Sequence, residues 1–251
     1  MPSRYEDSDV HLRYDCGRRL NADATKAVTE FLLRHAPCAV NSVVDVGCGT
    51  GRFTGILAET FGVPIVGIEP APNMRAVAEG RHLCGTIRFV SGSAEDIPLD
   101  DCTSDIVFMS QVFHHIADKA LALREIKRVL RPGGRLVLRQ TTLENLESFF
   151  YQRFFPEARR LDEQRLSSRA ELLGLANDCC YRLVGFECSC YLIAGTPDEY
   201  LEKIALRTFS DLEYISDEAF HTGLDAFRRY SADHPEFPKS DELDLFAFER
   251  S

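Results

Sequence analysis

The nine residues Val43-Val44-Asp45-Val46-Gly47-Cys48-Gly49-Thr50-Gly51 constrain the fold of this chain more than any other stretch. The opening run is apolar apart from one carboxylate and reads as a strand buried on both faces. Three glycines at alternate positions then permit positive φ and let the backbone approach a ligand with no Cβ in the way. A helical pattern follows at once, so the unit is strand, glycine turn, helix: the opening of a doubly wound α/β sheet. A dinucleotide fingerprint requires G-x-G-x-x-G, whereas here Arg52 holds the sixth position and the third glycine comes one residue early. The spacing disfavours NAD without excluding it.

The rest of the chain supports the same architecture. Short β-branched runs at 42–46, 64–69, 87–91, 105–110 and 134–140 alternate with helical patterns at 51–61, 72–80 and 118–130. In the last of these Ala120, Leu123, Ile126, Val129 and Leu130 share a stripe, and Arg131-Pro132-Gly133-Gly134 breaks the helix before the next strand. A helix is expected over 21–35. A helical, unusually aromatic stretch is expected over 143–181. Strands over 184–194 and 243–248, with helices near 198–206 and 217–230 between them, bring the strand count to seven.

At 251 residues one domain is the better prior, and 45% hydrophobic with 27% charged residues suits a globular chain. The net charge of -10 repels a nucleic acid unless a basic patch intervenes. Five arginines between 153 and 169 are interleaved with Glu157, Asp162 and Glu163, which reads as a solvated helix surface. No apolar run reaches the roughly 20 residues that span a bilayer, and MPSRYEDSDV lacks a secretory signal, so no membrane insertion and a cytoplasmic location are expected. The nine cysteines are odd in number and lack metal-ligand spacing, and buried thiols are the expectation.

Taken together, four motifs resemble the class I S-adenosylmethionine (SAM)-dependent methyltransferases, in the branch that includes ubiquinone and sterol methyltransferases and many small-molecule enzymes. They are Asp45-x-Gly47-x-Gly49-x-Gly51; Glu69 ending Val66-Gly67-Ile68-Glu69; the turn Gly92-Ser93-Ala94-Glu95; and Asp105 to Ser110 followed by Gln111-Val112-Phe113-His114-His115 and Arg131-Pro132-Gly133-Gly134. The resemblance implies a Rossmann-like, doubly wound, seven-stranded, mostly parallel sheet with an antiparallel last strand and a helical cap insertion. It implies a single domain with a cofactor-covering segment (1–38), a SAM-binding core (39–142), the cap (143–182) and C-terminal strands and helices (183–251). It also implies SAM as cofactor and a small-molecule O, N, S or C nucleophile as methyl acceptor. Gly47, Cys48, Gly49 and Gly51 would wrap the methionine portion, Asp45 would hold its ammonium, and Glu69 with Pro70 would meet the ribose, whose two hydroxyls both donate. Ala94 and Glu95 would meet the adenine, with Ser110 at the end of the fourth strand. Near the N-terminus, Tyr14 and Arg18 resemble a segment that folds over the cofactor onto its carboxylate, or else form a solvated basic turn.

Two absences narrow the acceptor. Ser110 to Phe113 reads S-Q-V-F rather than the N/D-P-P-Y/F of base-methylating enzymes, and no oxygen-ligand cluster follows that strand to hold Mg²⁺. No nucleic acid and no metal are therefore expected. His114 and His115 stand where the acceptor should approach and would serve as general base, or else pack and cap the loop. The aromatics 149–155 form core, line an acceptor pocket, or both. Arg207 with Asp211, Glu213, Asp217 and Glu218 either selects a charged acceptor or is surface. An NAD(P)-dependent oxidoreductase and a non-catalytic SAM-binding protein remain the rival readings, and no pattern fixes the oligomeric state.

Overall fold

The computed structural model describes residues 9–19 and 22–251; Asn21, the expected start of a helix, lies outside the described residues, as do 1–8 of the expected cofactor-covering segment. β1 (Val43–Val46) is flanked by β2 (Ile65–Ile68) and β4 (Ser104–Ser110), both parallel to it. β3 (Ile87–Val90) continues beyond β2 and β5 (Leu130–Gln140) beyond β4, again in parallel. β7 (Ser240–Arg250) runs antiparallel between β5 and β6 (Tyr181–Leu192), which gives the order β3-β2-β1-β4-β5-β7-β6. This is the expected seven-stranded sheet. β5 starts earlier than expected because Arg131-Pro132-Gly133-Gly134 swells out of the ladder: Ser104 pairs with Leu130 and Ile106 already with Arg135. The chain winds outward in both directions from β1 and β4, so a crevice opens between them at the carboxyl edge.

Alternation along the strands divides the core. Val44, Val46, Val107, Met109, Leu136 and Leu138 point to the face covered by α5 (Lys119–Val129) and α7 (Arg169–Asp178). Val43, Ile106, Phe108, Val137 and Leu245 point to the face covered by α2 (Ala22–His35) and α3 (Arg52–Phe61). The amphipathic stripe read in α5 is the buried one: Leu123, Ile126 and Val129 are essentially inaccessible, and the Asp118 side chain caps its start by accepting from the Leu121 N–H at 2.8 Å.

A third, aromatic core lies outside this sandwich. Phe150, Tyr151 and Phe155 pack with Tyr200, Phe227 and Phe237. The cap therefore draws on two segments: the 3₁₀ turns Leu143–Ser148 and Phe150–Phe154 with α6 (Pro156–Arg165), and, far along the chain, α8 (Pro197–Ala205), α9 (Ser210–Glu213) and α10 (Asp217–Asp233). The expected 143–182 insertion accounts for only part of it, since α7 leaves the cap to pack under the sheet through Leu172 and Ala176. The cap is tied to the sheet by Asp244 on β7, which is fully buried and accepts from Arg169 at 2.7 and 2.9 Å and from Thr142 at 2.7 Å.

The cysteines depart from expectation. Only Cys48 is buried; seven of the nine are exposed, and none is paired. Cys188 and Cys190 fall on the outward side of β6, an edge strand whose burial alternates.

Candidate active site

The glycine turn leaves β1 with φ of 69° at Gly47, 56° at Gly49 and 76° at Gly51, all in the left-handed region. At Gly47 space is also closed, since a Cβ there would stand 2.4 Å from Val112 Cγ2. Glu69, at the carboxyl end of β2 and 7% exposed, braces the turn: one carboxylate oxygen accepts from the Gly49 N–H and the other from the Ala71 N–H, each at 2.9 Å. From above, α1 (Val10–Gly17) is pinned to the same turn through Asp15, which accepts from the Thr50 hydroxyl at 2.6 Å and pairs with Arg81.

A cleft opens over this turn, the widest of the three spaces around it. Of the residues expected at the site, Tyr14, Gly47, Gly49, Glu69, Pro70, Ala94, Glu95 and Ser110, expected at the cofactor, and His115, expected at the acceptor, all line it. The others stand apart. Asp45 lies beneath the turn, where it accepts from the Thr54 hydroxyl at 2.7 Å and where burial raises its carboxyl to about 7. Cys48 is buried, Gly51 caps α3, and Arg18 and His114 line an adjoining cavity instead. Glu95 accepts from the Ala117 N–H at 3.2 Å and so joins the β3 turn to the segment before α5.

That adjoining cavity is walled by His114, His115, Phe149, Tyr151, Asp162 and Arg165, among others. The aromatic run divides: Phe149 and Tyr151 face the cavity while Phe150 and Phe155 fill the cap core. Asp211 is part of this wall, buried and accepting from the Tyr151 hydroxyl at 2.8 Å, whereas Asp217 pairs with Arg207 at 2.6 Å and lies at the surface. Gln152 donates to both Asp162 and Asp211, at 2.6 and 2.9 Å. Arg165 departs from the solvated-surface expectation, pairing with Asp162 at 2.7 Å inside this network. A further, narrow cavity lies on the other side of Phe149, with Arg52 and Arg139 in its wall.

Gln111 lines all three spaces. Its backbone sits at φ 59°, a conformation that costs a non-glycine residue on the order of 1 kcal/mol, and the surroundings enforce it. Its side chain donates to Thr141 Oγ1 at 2.8 Å and accepts from the Thr141 N–H at 2.9 Å, while its own N–H donates to the Arg139 carbonyl at 2.8 Å. The sequence reading passed over this residue. The one signal for it was its position immediately after the fourth strand.

His114 and His115 stack at 4.1 Å. Gln140 Nε2 lies 2.8 Å from His114 Nδ1; with the amide donating, the His114 proton is placed on Nε2. Burial lowers both imidazoles below their ordinary range, and the charges of Arg165 and Arg18 add to the effect; His115 nonetheless keeps accessible surface because it opens onto the cavities. The unfolded chain takes up these protons below about pH 6.5 and the native state does not, so stability falls with acidity from that point. We expect His114→Gln to narrow the gap between melting temperatures at pH 7 and pH 5. An unchanged gap in parallel thermal melts would count against this.

Among the described residues no group of three or more His, Cys, Asp or Glu is placed to hold a metal ion, and no helix is long and apolar enough to cross a membrane.

Comparison with known proteins agrees with this geometry. Residues 44–138, which hold the glycine turn, Glu69, Gln111 and both histidines, match the family model described as a methyltransferase domain. An uncharacterized methyltransferase of Mycobacterium tuberculosis is 44% identical over 102 residues, 41% of this chain and 40% of the relative. An O-methyltransferase of Penicillium expansum is 36% identical over 141 residues, 55% of this chain and 47% of the relative. The matches thus span less than half the length of these relatives. Phosphoethanolamine N-methyltransferase 2 of Haemonchus contortus, solved with phosphomonomethylethanolamine and S-adenosylhomocysteine, superposes with a TM-score of 0.62 at 19% identity, covering 99% of this chain and 58% of that one. Residues 44–138 are thus similar to a methyltransferase domain, on a fold shared with solved methyltransferase structures.

Proposed function

We propose that the protein moves a methyl group from SAM to a small-molecule O, N, S or C nucleophile. The observation that carries this reading is the position of Gln111, which borders the cleft over the glycine turn and both cavities beneath the cap. Donor and acceptor can therefore be bound on its two sides and meet at one point.

The residues of the cleft fit the cofactor. The Glu69 carboxylate offers acceptors to a ribose diol, Gly49 leaves room above the turn with only Met74 within 3.4 Å of an added Cβ, and Pro70, Met74, Ala94 and Ile116 give apolar walls to a flat base. SAM supplies a methyl group on a positively charged sulfur, a leaving group that needs no assistance. The task left to the chain is to align the reacting atoms and exclude water. Gln111, held by Thr141 at both ends of its amide, fixes the junction. α1 roofs it through Asp15, and the cap closes the acceptor side through Phe149 and Tyr151. His115 borders both donor and acceptor spaces and is neutral at physiological pH, so it can accept a hydrogen bond from the nucleophile. Its lowered basicity makes it a weak proton acceptor, which suffices because the proton on the attacking atom becomes far more acidic as the new bond forms.

Incubation of the protein with methyl-labelled SAM and a metabolite extract, followed by mass spectrometry, is expected to give a labelled small molecule and S-adenosylhomocysteine in equal amounts. Thermal shift should show stabilisation by SAM and S-adenosylhomocysteine but not by NAD(P). Stabilisation by NAD(P) alone would defeat the assignment, and cofactor binding without turnover across acceptor classes would favour a non-catalytic role.

A further inference from the structure

We propose that the cavity between α3, the end of β5 and the cap is a carboxylate site, which anchors the methyl acceptor by an acidic group while its nucleophile reaches Gln111. This deepens the methyltransferase reading and rests on it. The central observation is a pair of shielded guanidinium groups with donors left unmet. Arg139, near the carboxyl end of β5, is 4% exposed; Nη1 donates to the Ser110 hydroxyl at 3.2 Å, and Nε has no partner. Arg52, in the first turn of α3, has its Nε and Nη1 shielded from solvent and equally unpartnered. Both lie against Phe53, at 5.2 and 5.4 Å from the ring centre.

Two cations gathered about one ring repel each other. Burial lowers Arg52 to about 10 and lowers Arg139 as well, and in each case the other cations nearby add to the effect. Buried donors left unmet are costly, and buried charge more so, unless an anion completes the site. Among the described residues the chain does not provide that anion: Asp241 is the one carboxylate they place in the cavity wall, which also carries Arg18, Arg19 and Lys203. It makes no ion pair with either guanidinium, its Oδ1 is itself unpartnered, and burial pushes its carboxyl up to about 8. In a protein of net charge -10, five cations around one cavity form a local field of the opposite sign.

The rest of the wall describes the ligand's body. Phe149, Tyr191, Phe209 and Leu243 are apolar and suit a ring or short hydrocarbon chain. Gln111 borders the same space and the donor cleft, so the nucleophile lies at the end remote from the carboxylate. The cofactor's own carboxylate is the other possible source of this chemistry. Neither Arg52 nor Arg139 lines the donor cleft, and Ser110 and Gln111 stand between, which favours the acceptor.

The test uses acetate, benzoate, phenylacetate and 3-phenylpropanoate, each beside its neutral amide, titrated calorimetrically into protein saturated with S-adenosylhomocysteine. At least one acid is expected to bind about tenfold or more tightly than its amide. Arg139→Met should abolish that preference while leaving S-adenosylhomocysteine affinity within about twofold, and Asp241→Asn, which removes the competing carboxyl, should strengthen acid binding. Acids that bind no better than amides, or no acid binding at all, overturn the site. A parallel loss of S-adenosylhomocysteine affinity in Arg139→Met assigns the arginines to the cofactor and overturns it too. Failure of the parent protein to bind S-adenosylhomocysteine would defeat the methyltransferase reading itself and is read separately.

Discussion

Glu69→Ala is expected to weaken S-adenosylhomocysteine binding by about a hundredfold. Hydrogen bonds to a charged acceptor are worth about 1.5–3 kcal/mol each, so losing both proposed ribose hydroxyl contacts to this carboxylate removes enough free energy for that factor. The structure adds a second contribution, because the same side chain holds the Gly49 and Ala71 N–H groups and thereby the shape of the turn itself. Glu69→Gln keeps one acceptor oxygen and should lose about tenfold, between parent and Ala. The strand and the fold should survive, since Glu69 lies past the last residue of β2 and its backbone bond to the Val90 carbonyl is independent of the side chain. Calorimetric titration of parent and both variants decides the matter: equal affinities would show that the sugar lies elsewhere.

Arg169→Met is expected to cost about 3 kcal/mol of stability, a melting temperature lower by about 6–12 °C. Asp244 has no accessible surface, and Arg169 meets both of its oxygens; without the guanidinium a carboxylate is left buried with only Thr142 and Asn145 to satisfy it. We take the low end of the range for a broken buried pair because the Arg169 side chain is 31% exposed and partly screened already. Adding Asp244→Asn should recover part of the loss, since it removes the stranded charge. A single variant that melts with the parent would show that this pair does not hold the cap to the sheet.

The glycine turn and Glu69 were legible as structure because each sits at a place that local chemistry defines, a turn that needs positive φ or the end of a buried strand; that Asp45 would lie beneath the turn, bonded to Thr54 and off the cleft, was not. Gln111 was not legible. A glutamine after a strand carries no sign that its backbone is left-handed, and what fixes it there is Thr141, thirty residues further on. Arg139 lay in a run read only as a strand, and Arg52 read as the residue that spoiled a dinucleotide fingerprint. The cysteines misled in the opposite sense: a small apolar side chain predicts burial, but Cys188 and Cys190 fall on the outward side of an edge strand, and edge position belongs to the sheet rather than to the residue.

The sequence by itself determined the strand–turn–helix that opens the sheet, the alternation that buries the strands, and the acidic residue that closes the second one. These depend on φ preferences and on side chains within a few residues of one another. Only the tertiary structure decided that a cap built from two distant segments would cover the cavities beside the histidines, that Gln111 would join them to the cleft over the glycine turn, and that Arg52 and Arg139 would share one ring. Those outcomes depend on which strands lie side by side and on which charges are left without partners once water is excluded, neither of which is written in any local stretch of chain.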